Sequence, residues 1–170
     1  IYSFTHPKIS YFIIIAFLTA ILIWPYQTLM PVIASKVFNV GATGYGSLLS
    51  AAGSGSLVGA LIVSTLSKRE NKITLVTWGL LISTVSLILF AFNSSYLLAH
   101  FLLAFTGLGI IMLVSTLSTL VQLNSPDEFR GRVMAVFLTM FIGMMPVGNI
   151  LAGFLSEKTS PQFTLGLGAS

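Results

Sequence analysis

The sequence predicts an all-α polytopic membrane protein, and three observations support that prediction. Hydrophobic residues make up 55% of the 170 residues and charged residues only 7%, against roughly 25% charged residues in soluble domains. The charges leave four long neutral stretches, Ile9–Ser35, Val37–Ser67, Ile73–Pro126 and Val133–Ser156. Each stretch reaches the roughly 20 residues that cross a bilayer as a helix. This composition excludes a water-soluble domain.

The neutral stretches divide into five complete spans. The stretch from Ile73 to Pro126 would be about 80 Å long as one helix, so the chain has to turn back within it, and Asn93-Ser94-Ser95 provides polar turn residues. The expected spans are residues 10–38, 44–67, 73–92, 96–123 and 133–155. Strands are not expected, because the runs lack period-two alternation and an open sheet leaves backbone groups unpaired in lipid.

The two ends of the sequence predict that a longer chain surrounds it. The chain starts at Ile1, and a neutral segment from about residue 162 stops at Ser170 before it could cross a bilayer. We interpret that segment as the truncated start of a sixth span. Residues 1–170 are therefore expected to be one transmembrane half of a transporter.

The basic residues predict the orientation in the membrane. Five alternating spans place six of them on one side, namely Lys8, Lys68, Arg69, Lys72, Arg130 and Arg132, and leave Lys36 and Lys158 on the other. An excess of lysine and arginine in short loops marks the cytoplasmic side. The net charge of +4 is explained by this asymmetry, so the expected partner is the lipid bilayer and not nucleic acid, which needs a clustered basic face.

A polar break interrupts the first span. Pro25 and Pro31 flank Tyr26, Gln27 and Thr28 at mid-membrane depth, and each proline removes a backbone donor. A lipid-facing glutamine would leave its amide unpaired in hydrocarbon. Two interpretations remain open, a residue that lines a cavity and a hydrogen bond between helices.

Later spans carry further polar groups and methionines. Met112, Ser115, Thr119 and Gln122 follow one another at intervals of three, four and three, which places them on one helical face. Met140, Met144 and Asn149 give a similar mixture, and methionine suits both an adaptable binding surface and an ordinary core. The candidates for a substrate cavity are Tyr26, Gln27, Met112, Ser115, Thr119, Met144 and Asn149.

Small residues recur on two spans. Ala51, Gly55 and Gly59 are four apart in the second span, and such a stripe lets another helix approach closely. Glycines recur in the fifth span as Gly143, Gly148 and Gly153. The candidate helix-packing residues are Gly55, Gly59, Gly148 and Gly153.

No span contains a carboxylate or a cysteine, so we expect no catalytic residues, no metal site and no cofactor. A membrane-embedded enzyme would need clustered His, Asp or Glu at membrane depth. If transport is coupled to the proton gradient, the titrating group is expected in the missing half. His100 stays open between a neutral interfacial histidine and a proton carrier.

The loop before the fifth span is the most distinctive local sequence. Ser125-Pro126-Asp127-Glu128 predicts a helix start with Ser125 as the cap. Cations are unfavourable at a helix N-terminus, so Arg130 and Arg132 serve either lipid headgroups and topology or acidic partners in another loop that form a closure latch. The candidate gate residues of the basic loops are Lys68, Arg69, Asp127, Glu128, Arg130 and Arg132.

The segment Pro126–Val133 resembles the loop before the eleventh helix in the enterobactin-exporter and macrolide-efflux branch of the major facilitator superfamily. Pro31, the Ser67-Lys68-Arg69 exit and Pro146-Val147-Gly148 fit that resemblance in order and spacing. It implies the C-terminal half of a twelve-helix transporter in the cell (inner) membrane, from just before helix seven to the start of helix twelve. It also implies proton-coupled alternating access, usually efflux of a small molecule such as a drug or siderophore.

The resemblance does not cover one loop motif of the superfamily, and it leaves one alternative function open. Lys68 and Arg69 lie where the superfamily has a weak second copy of its loop motif, but the glycine and aspartate of that motif are not recognisable. The alternative function is a lysophospholipid flippase-type domain of the same superfamily, fused to soluble acyltransferase domains.

Overall fold

The computed structural model describes residues 7–66, 71–158, 164 and 168. Its helices are α1 (Pro7–Leu22), α2 (Tyr26–Lys36), α3 (Ala42–Leu66), α4 (Lys72–Ala91), α5 (Tyr96–Leu123) and α6 (Arg130–Lys158). Within these described residues no strand occurs. The predicted all-α fold is confirmed.

Five helical segments are long and apolar enough to cross a membrane, with α1 and α2 forming one of them as Pro7–Lys36. The five membrane-spanning helices of the prediction are thus confirmed. The first segment starts three residues earlier than expected, and the fifth, Arg130–Glu157, extends past both expected ends. Most of the predicted sixth span lies outside the described residues.

The chain alternates between two ends of the bundle. We call the end with Pro7, Leu66, Lys72, Leu123 and Arg130 the basic end, and the end with Lys36, Ala42, Ala91 and Tyr96 the opposite end. The reversal between α4 and α5 falls at Asn93-Ser94-Ser95. There the Asn93 amide donates to the Ser95 carbonyl at 2.7 Å, and its oxygen accepts from the Ser95 N–H at 2.9 Å.

Helix α5 lies at the centre of the bundle, packed against α3 on one side and α4 on the other, while α1 packs against α6. Two apolar clusters fill the interior. One, at the opposite end, joins α2, α3, α4 and α5 through residues such as Met30, Leu48, Phe90 and Leu103. The other, towards the basic end, joins α1, α5 and α6 through residues such as Ile13, Leu117 and Phe137. Since lipid is as apolar as these side chains, close packing is what holds such helices together.

Candidate functional site

The break between α1 and α2 positions the first candidate residues. Pro25 has no N–H and its ring collides with the preceding turn, so the helix cannot run through it. The N–H groups of Ile23 and Trp24 both donate to the Thr19 carbonyl at 3.0 Å, which widens the last turn of α1. A new helix then starts at Tyr26. Pro31, in contrast, lies inside the continuous helix α2, so the prediction that it also breaks the span is wrong.

Tyr26 and Gln27 are adjacent in sequence but face different surroundings. The Tyr26 side chain is 3% exposed and lies in the apolar cluster with Leu29 and Met30. Gln27 is exposed, and its amide donates a long hydrogen bond of 3.4 Å to the Tyr26 hydroxyl. Pro31 cannot donate to the Gln27 carbonyl, so both the side chain and the backbone of Gln27 retain hydrogen-bonding capacity.

The four residues predicted to share one face of α5 differ in their burial. Met112 is 4% exposed and is packed in the core. Ser115 and Thr119 are half-buried, and Gln122 is exposed. The Thr119 hydroxyl donates to the Ser115 carbonyl at 2.9 Å, whereas within the described part of the chain the Ser115 hydroxyl has no hydrogen-bond partner. Ser115 is therefore the group on this face that is most available to a ligand.

On α6, Met144 and Asn149 are both half-buried. Met144 packs against the cluster near the basic end. The Oδ1 atom of Asn149 is buried and has no hydrogen-bond partner among the described residues. A buried amide oxygen without a partner is costly, so Asn149 retains an acceptor that a ligand, a water molecule or a further helix could satisfy.

The structure does not bring the candidate residues into one cluster. At a rise of about 1.5 Å per residue, Ser115 lies about 12 Å from the basic end of α5, whereas Gln27 lies about 30 Å from the start of α1. The two are therefore separated by roughly 18 Å in depth. They belong to two levels of the bundle.

Sequence reasoning missed an exposed polar strip on α3, made of Gly46, Ser50, Gly53 and Ser54. Ser50 lies about 12 Å from the opposite end of the bundle, close to the depth of Gln27, about 14 Å from the same end. The hydroxyls of Ser50 and Ser54 donate to the Gly46 and Ala51 carbonyls, at 2.9 Å and 2.7 Å. Their oxygens remain acceptors. Ser50 and Ser54 each come one residue before a member of the small-residue series Ala51, Gly55 and Gly59. This second four-residue spacing is the sequence signal that could have revealed the strip.

Other exposed surfaces are strongly apolar. Helix α4 and the start of α5 present large hydrophobic side chains, namely Trp78, Leu81, Val85, Leu89, Leu97, Phe101 and Phe105. On α3 the polar strip ends at Leu57, which is 71% exposed. Exposed polar groups well inside the bundle therefore lie mainly on α2 and the first half of α3, with half-buried ones on the second half of α5, whereas α4 and α6 add isolated threonines such as Thr77 and Thr139.

The loop at the basic end differs from its prediction. Ser125 does not cap α6, because its hydroxyl donates to the Val121 carbonyl at 2.6 Å and so binds the end of α5. Helix α6 starts at Arg130. The Arg130 guanidinium pairs with Asp127 of its own loop and donates from Nε to the Gln122 carbonyl at 3.4 Å. Among the described residues Arg130 thus has a local acidic partner, and the closure latch with another loop stays a prediction.

The remaining loop candidates are solvated or outside the described residues. Glu128 and Arg132 are exposed. Lys68 and Arg69 lie outside the described residues, so their proposed gate role stays a prediction.

Three of the four candidate packing glycines lie at close helix contacts. A Cβ built on Gly55 would overlap the Ala104 carbonyl, and one on Gly59 would stand 2.6 Å from the Leu108 carbonyl oxygen. A Cβ on Gly148 would stand 2.9 Å from Ile21 of α1. Gly153 has open space at that position, so it makes no close contact with the described helices.

The candidate residues at membrane depth are polar but uncharged. In the described spans no acidic or basic side chain lies between Ile9 and Ser35, Val37 and Leu66, Ile73 and Pro126, or Val133 and Ser156. No group of three or more His, Cys, Asp or Glu that could hold a metal occurs among the described residues. Such a surface can bind and orient a ligand through amide and hydroxyl groups.

Comparison with known protein families identifies a match over almost the whole chain. The model of a major facilitator superfamily family described as "transmembrane secretion effector" matches residues 3–170. No curated protein and no solved structure shows a significant match to the chain.

Proposed function

The chain belongs to the transmembrane secretion effector family of major facilitator transporters, and from that premise we propose that it exports a small molecule in exchange for protons. The proposed cargo is a drug or a siderophore-like compound. The proposed location is the cell (inner) membrane, with the basic end in the cytoplasm.

The observation that carries this proposal is the uneven distribution of exposed polar groups. Gln27, Thr28, Ser50 and Ser54 are exposed at membrane depth near the opposite end, and Ser115 and Gln122 are accessible near the basic end. In hydrocarbon the amide of Gln27 would keep unused donor and acceptor capacity, and the serine oxygens would keep unused acceptor capacity, so these groups are favoured where they face protein or a water-filled cavity. The large apolar side chains of α4 suit lipid instead. This arrangement supports a transport pathway along α2, α3 and α5.

We further propose that the chain is the C-terminal half of its transporter, and that the missing partner is the N-terminal half of the same chain. Two levels of polar groups on one half fit a pathway that opens alternately to either end. The resemblance of Pro126–Val133 to the enterobactin-exporter and macrolide-efflux branch supports the same assignment. Tyr26 and Met112 are packed in the core, so we leave them out of the proposed pathway.

The uncharged surface limits what this half contributes to recognition. Gln27 and Asn149 offer amide groups, and the hydroxyl oxygens of Ser50 and Ser54 offer acceptors. These groups suit the hydroxyl, amide and carbonyl groups of a neutral, amphipathic molecule. A strongly charged cargo, or a carboxylate that carries the coupling proton, would depend on the N-terminal half.

An accumulation assay tests the proposal. The full-length chain is expressed in cells that lack their own macrolide and siderophore exporters. We expect it to lower the accumulation of a macrolide antibiotic or a catecholate siderophore several-fold, and a protonophore to abolish the effect. Unchanged accumulation of both probes at normal expression would contradict the proposed cargo class.

A further inference from the structure

Helix α6 contains a proline at membrane depth, and this proline leaves one backbone carbonyl without its usual partner. Pro146 lies inside the continuous helix. In an α-helix the carbonyl of Ile142 would accept from the N–H of residue 146, but proline has no N–H and its ring crowds that carbonyl. The Ile142 carbonyl therefore keeps unused acceptor capacity about 18 Å from the basic end of α6.

The residues around this carbonyl leave it open to a ligand. Ile142 is 56% exposed, and Gly143 and Pro146 are exposed as well. A Cβ built on Gly143 would find a single neighbouring atom within 4 Å, Cγ2 of Thr139 at 3.9 Å, which is ordinary contact. Among the described residues no other helix covers Gly143, so a polar group can approach the backbone there.

Thr139, one turn before Gly143, adds a free hydroxyl group. It is exposed, and among the described residues its hydroxyl has no hydrogen-bond partner. The exposed threonine of α4 differs in this respect, because the Thr77 hydroxyl donates to the Ile73 carbonyl at 3.0 Å, as threonines inside helices often do. The Thr139 hydroxyl is therefore available to a ligand together with the Ile142 carbonyl.

Helix α5, which packs against α6, carries a similar group at the same depth. Ser115 lies about 12 Å from the basic end of α5, and Thr139 lies about 14 Å from the basic end of α6. The Ser115 hydroxyl also has no hydrogen-bond partner in the described part of the chain. Two neighbouring helices thus present two free hydroxyls and one free carbonyl within a narrow range of depth.

The chemistry of these groups favours a ligand that donates hydrogen bonds. A carbonyl can only accept, whereas a hydroxyl accepts and donates. In hydrocarbon all three groups would keep unused capacity. The sequence places no charged side chain between Ile73 and Pro126 or between Val133 and Ser156, so an ionic partner is not called for. A hydroxyl or an N–H group fits this set of acceptors.

We propose that the Ile142 carbonyl, the Thr139 hydroxyl and the open position at Gly143 form a subsite for a hydroxyl or N–H group of the cargo. Ser115 contributes from α5. Pro146 is a positioning residue, because its missing N–H keeps the carbonyl unpaired. The inference rests on the proposed export of a small molecule, and it adds α6 to the helices that contact the cargo.

The reactivity of an introduced thiol tests whether the subsite opens to water. Gly143→Cys is made in the full-length protein, freed of other cysteines and held in liposomes, and is treated with a charged thiol reagent. We expect it to react, and we expect a macrolide or a catecholate siderophore to slow the reaction several-fold. Val85→Cys, at a position 50% exposed on the apolar face of α4, is the control and should stay unreactive. An unreactive Gly143→Cys would overturn the proposal, because the position then faces lipid or a helix of another segment.

Kinetic constants test whether the subsite binds the cargo. Thr139→Val keeps the shape of the side chain but removes the hydroxyl, and Pro146→Ala supplies the N–H that α6 lacks. Each should raise the KM of the exported probe about two- to tenfold, the value of one hydrogen bond, with kcat near normal. The melting temperature should stay normal in Thr139→Val and stay or rise in Pro146→Ala, since the helix gains a hydrogen bond. Thr77→Val on α4 is the matched control and should leave KM unchanged.

The outcomes separate this subsite from the proposed function. An unchanged KM in both Thr139→Val and Pro146→Ala, for a probe that the unaltered protein exports, would overturn the subsite and leave the proposed export standing. If neither probe is exported, the proposed cargo class fails, whereas the reactivity of Gly143→Cys still decides whether the subsite lies on a water-filled pathway.

Discussion

The backbone of Gly55 in α3 lies directly against the backbone carbonyl of Ala104 in α5, in a gap that leaves no room for a β-carbon. Gly53, two residues earlier on the same helix, has nothing within 4 Å of the corresponding position. Replacing each glycine by alanine changes the helix propensity of α3 in the same way, but only the change at Gly55 disturbs a helix contact. Comparing the two variants therefore isolates the contribution of packing.

We expect Gly55→Ala to destabilise the protein by about 1–3 kcal/mol, because the added methyl forces α3 and α5 apart. Gly53→Ala should leave stability unchanged or raise it slightly, since alanine favours the helix. Thermal unfolding of the purified protein in detergent measures both effects. Equal melting temperatures for the two variants would show that the close contact is not needed.

The polar pathway predicts a separation between transport and stability. Gln27→Ala and Ser115→Ala should lower the transport rate several-fold, since each removes a group worth about 0.5–1.5 kcal/mol to a bound ligand, while expression and melting temperature stay near normal. Thr77→Ala on α4 is the control, because Thr77 is exposed like Gln27 but lies on the apolar face, and its hydroxyl donates to the Ile73 carbonyl. If both test variants transport at the normal rate per folded molecule, Gln27 and Ser115 do not line the transport pathway.

The charge asymmetry predicts which residues face the cytoplasm. In a parent chain freed of other cysteines, Asp127→Cys at the basic end should resist an impermeant thiol reagent applied outside intact cells. Ser94→Cys, exposed in the turn at the opposite end, should react. The reverse labelling pattern would overturn the orientation.

The ion pair in the loop before α6 should contribute little to stability. The Arg130 side chain is 48% exposed and that of Asp127 88%, and pairs so exposed to water are worth about 0–1 kcal/mol. We therefore expect Asp127→Asn to change the free energy of unfolding by less than about 1 kcal/mol. A loss above about 2 kcal/mol in denaturant titration would mean that the pair holds the loop in a way that these contacts do not explain.

Composition and spacing predicted the parts of the structure that depend on short stretches of sequence. Five spans follow from the lengths of the neutral runs, and the four-residue spacing of Gly55 and Gly59 is enough to place both on one face. The break at Pro25 follows from the missing N–H of proline. Pro31 shows the limit of that rule, since α2 continues through a proline whose missing donor affects one carbonyl.

Other features depend on how helices are aligned with each other, which no local pattern specifies. The Ser47 and His100 contact joins residues 53 positions apart and exists because α3 and α5 pack in one particular register. Gly148 packs against α1 and Gly153 contacts no described helix, although both belong to the same series of glycines in the fifth span. Ser125 had a plausible cap position for α6, but the carbonyl of Val121 lies within reach and takes its hydrogen.

Substrate movement driven by an imposed pH gradient tests whether export by this chain is coupled to protons. The full-length protein is placed in liposomes whose interior is more acidic than the medium, and uptake of the probe identified in cells is followed with a pH-sensitive dye inside. We predict uptake above the equilibrium level with matching loss of internal protons, reduced several-fold in Gln27→Ala and normal in Thr77→Ala. Uptake that only reaches equilibrium and is the same without a gradient would contradict proton-coupled export.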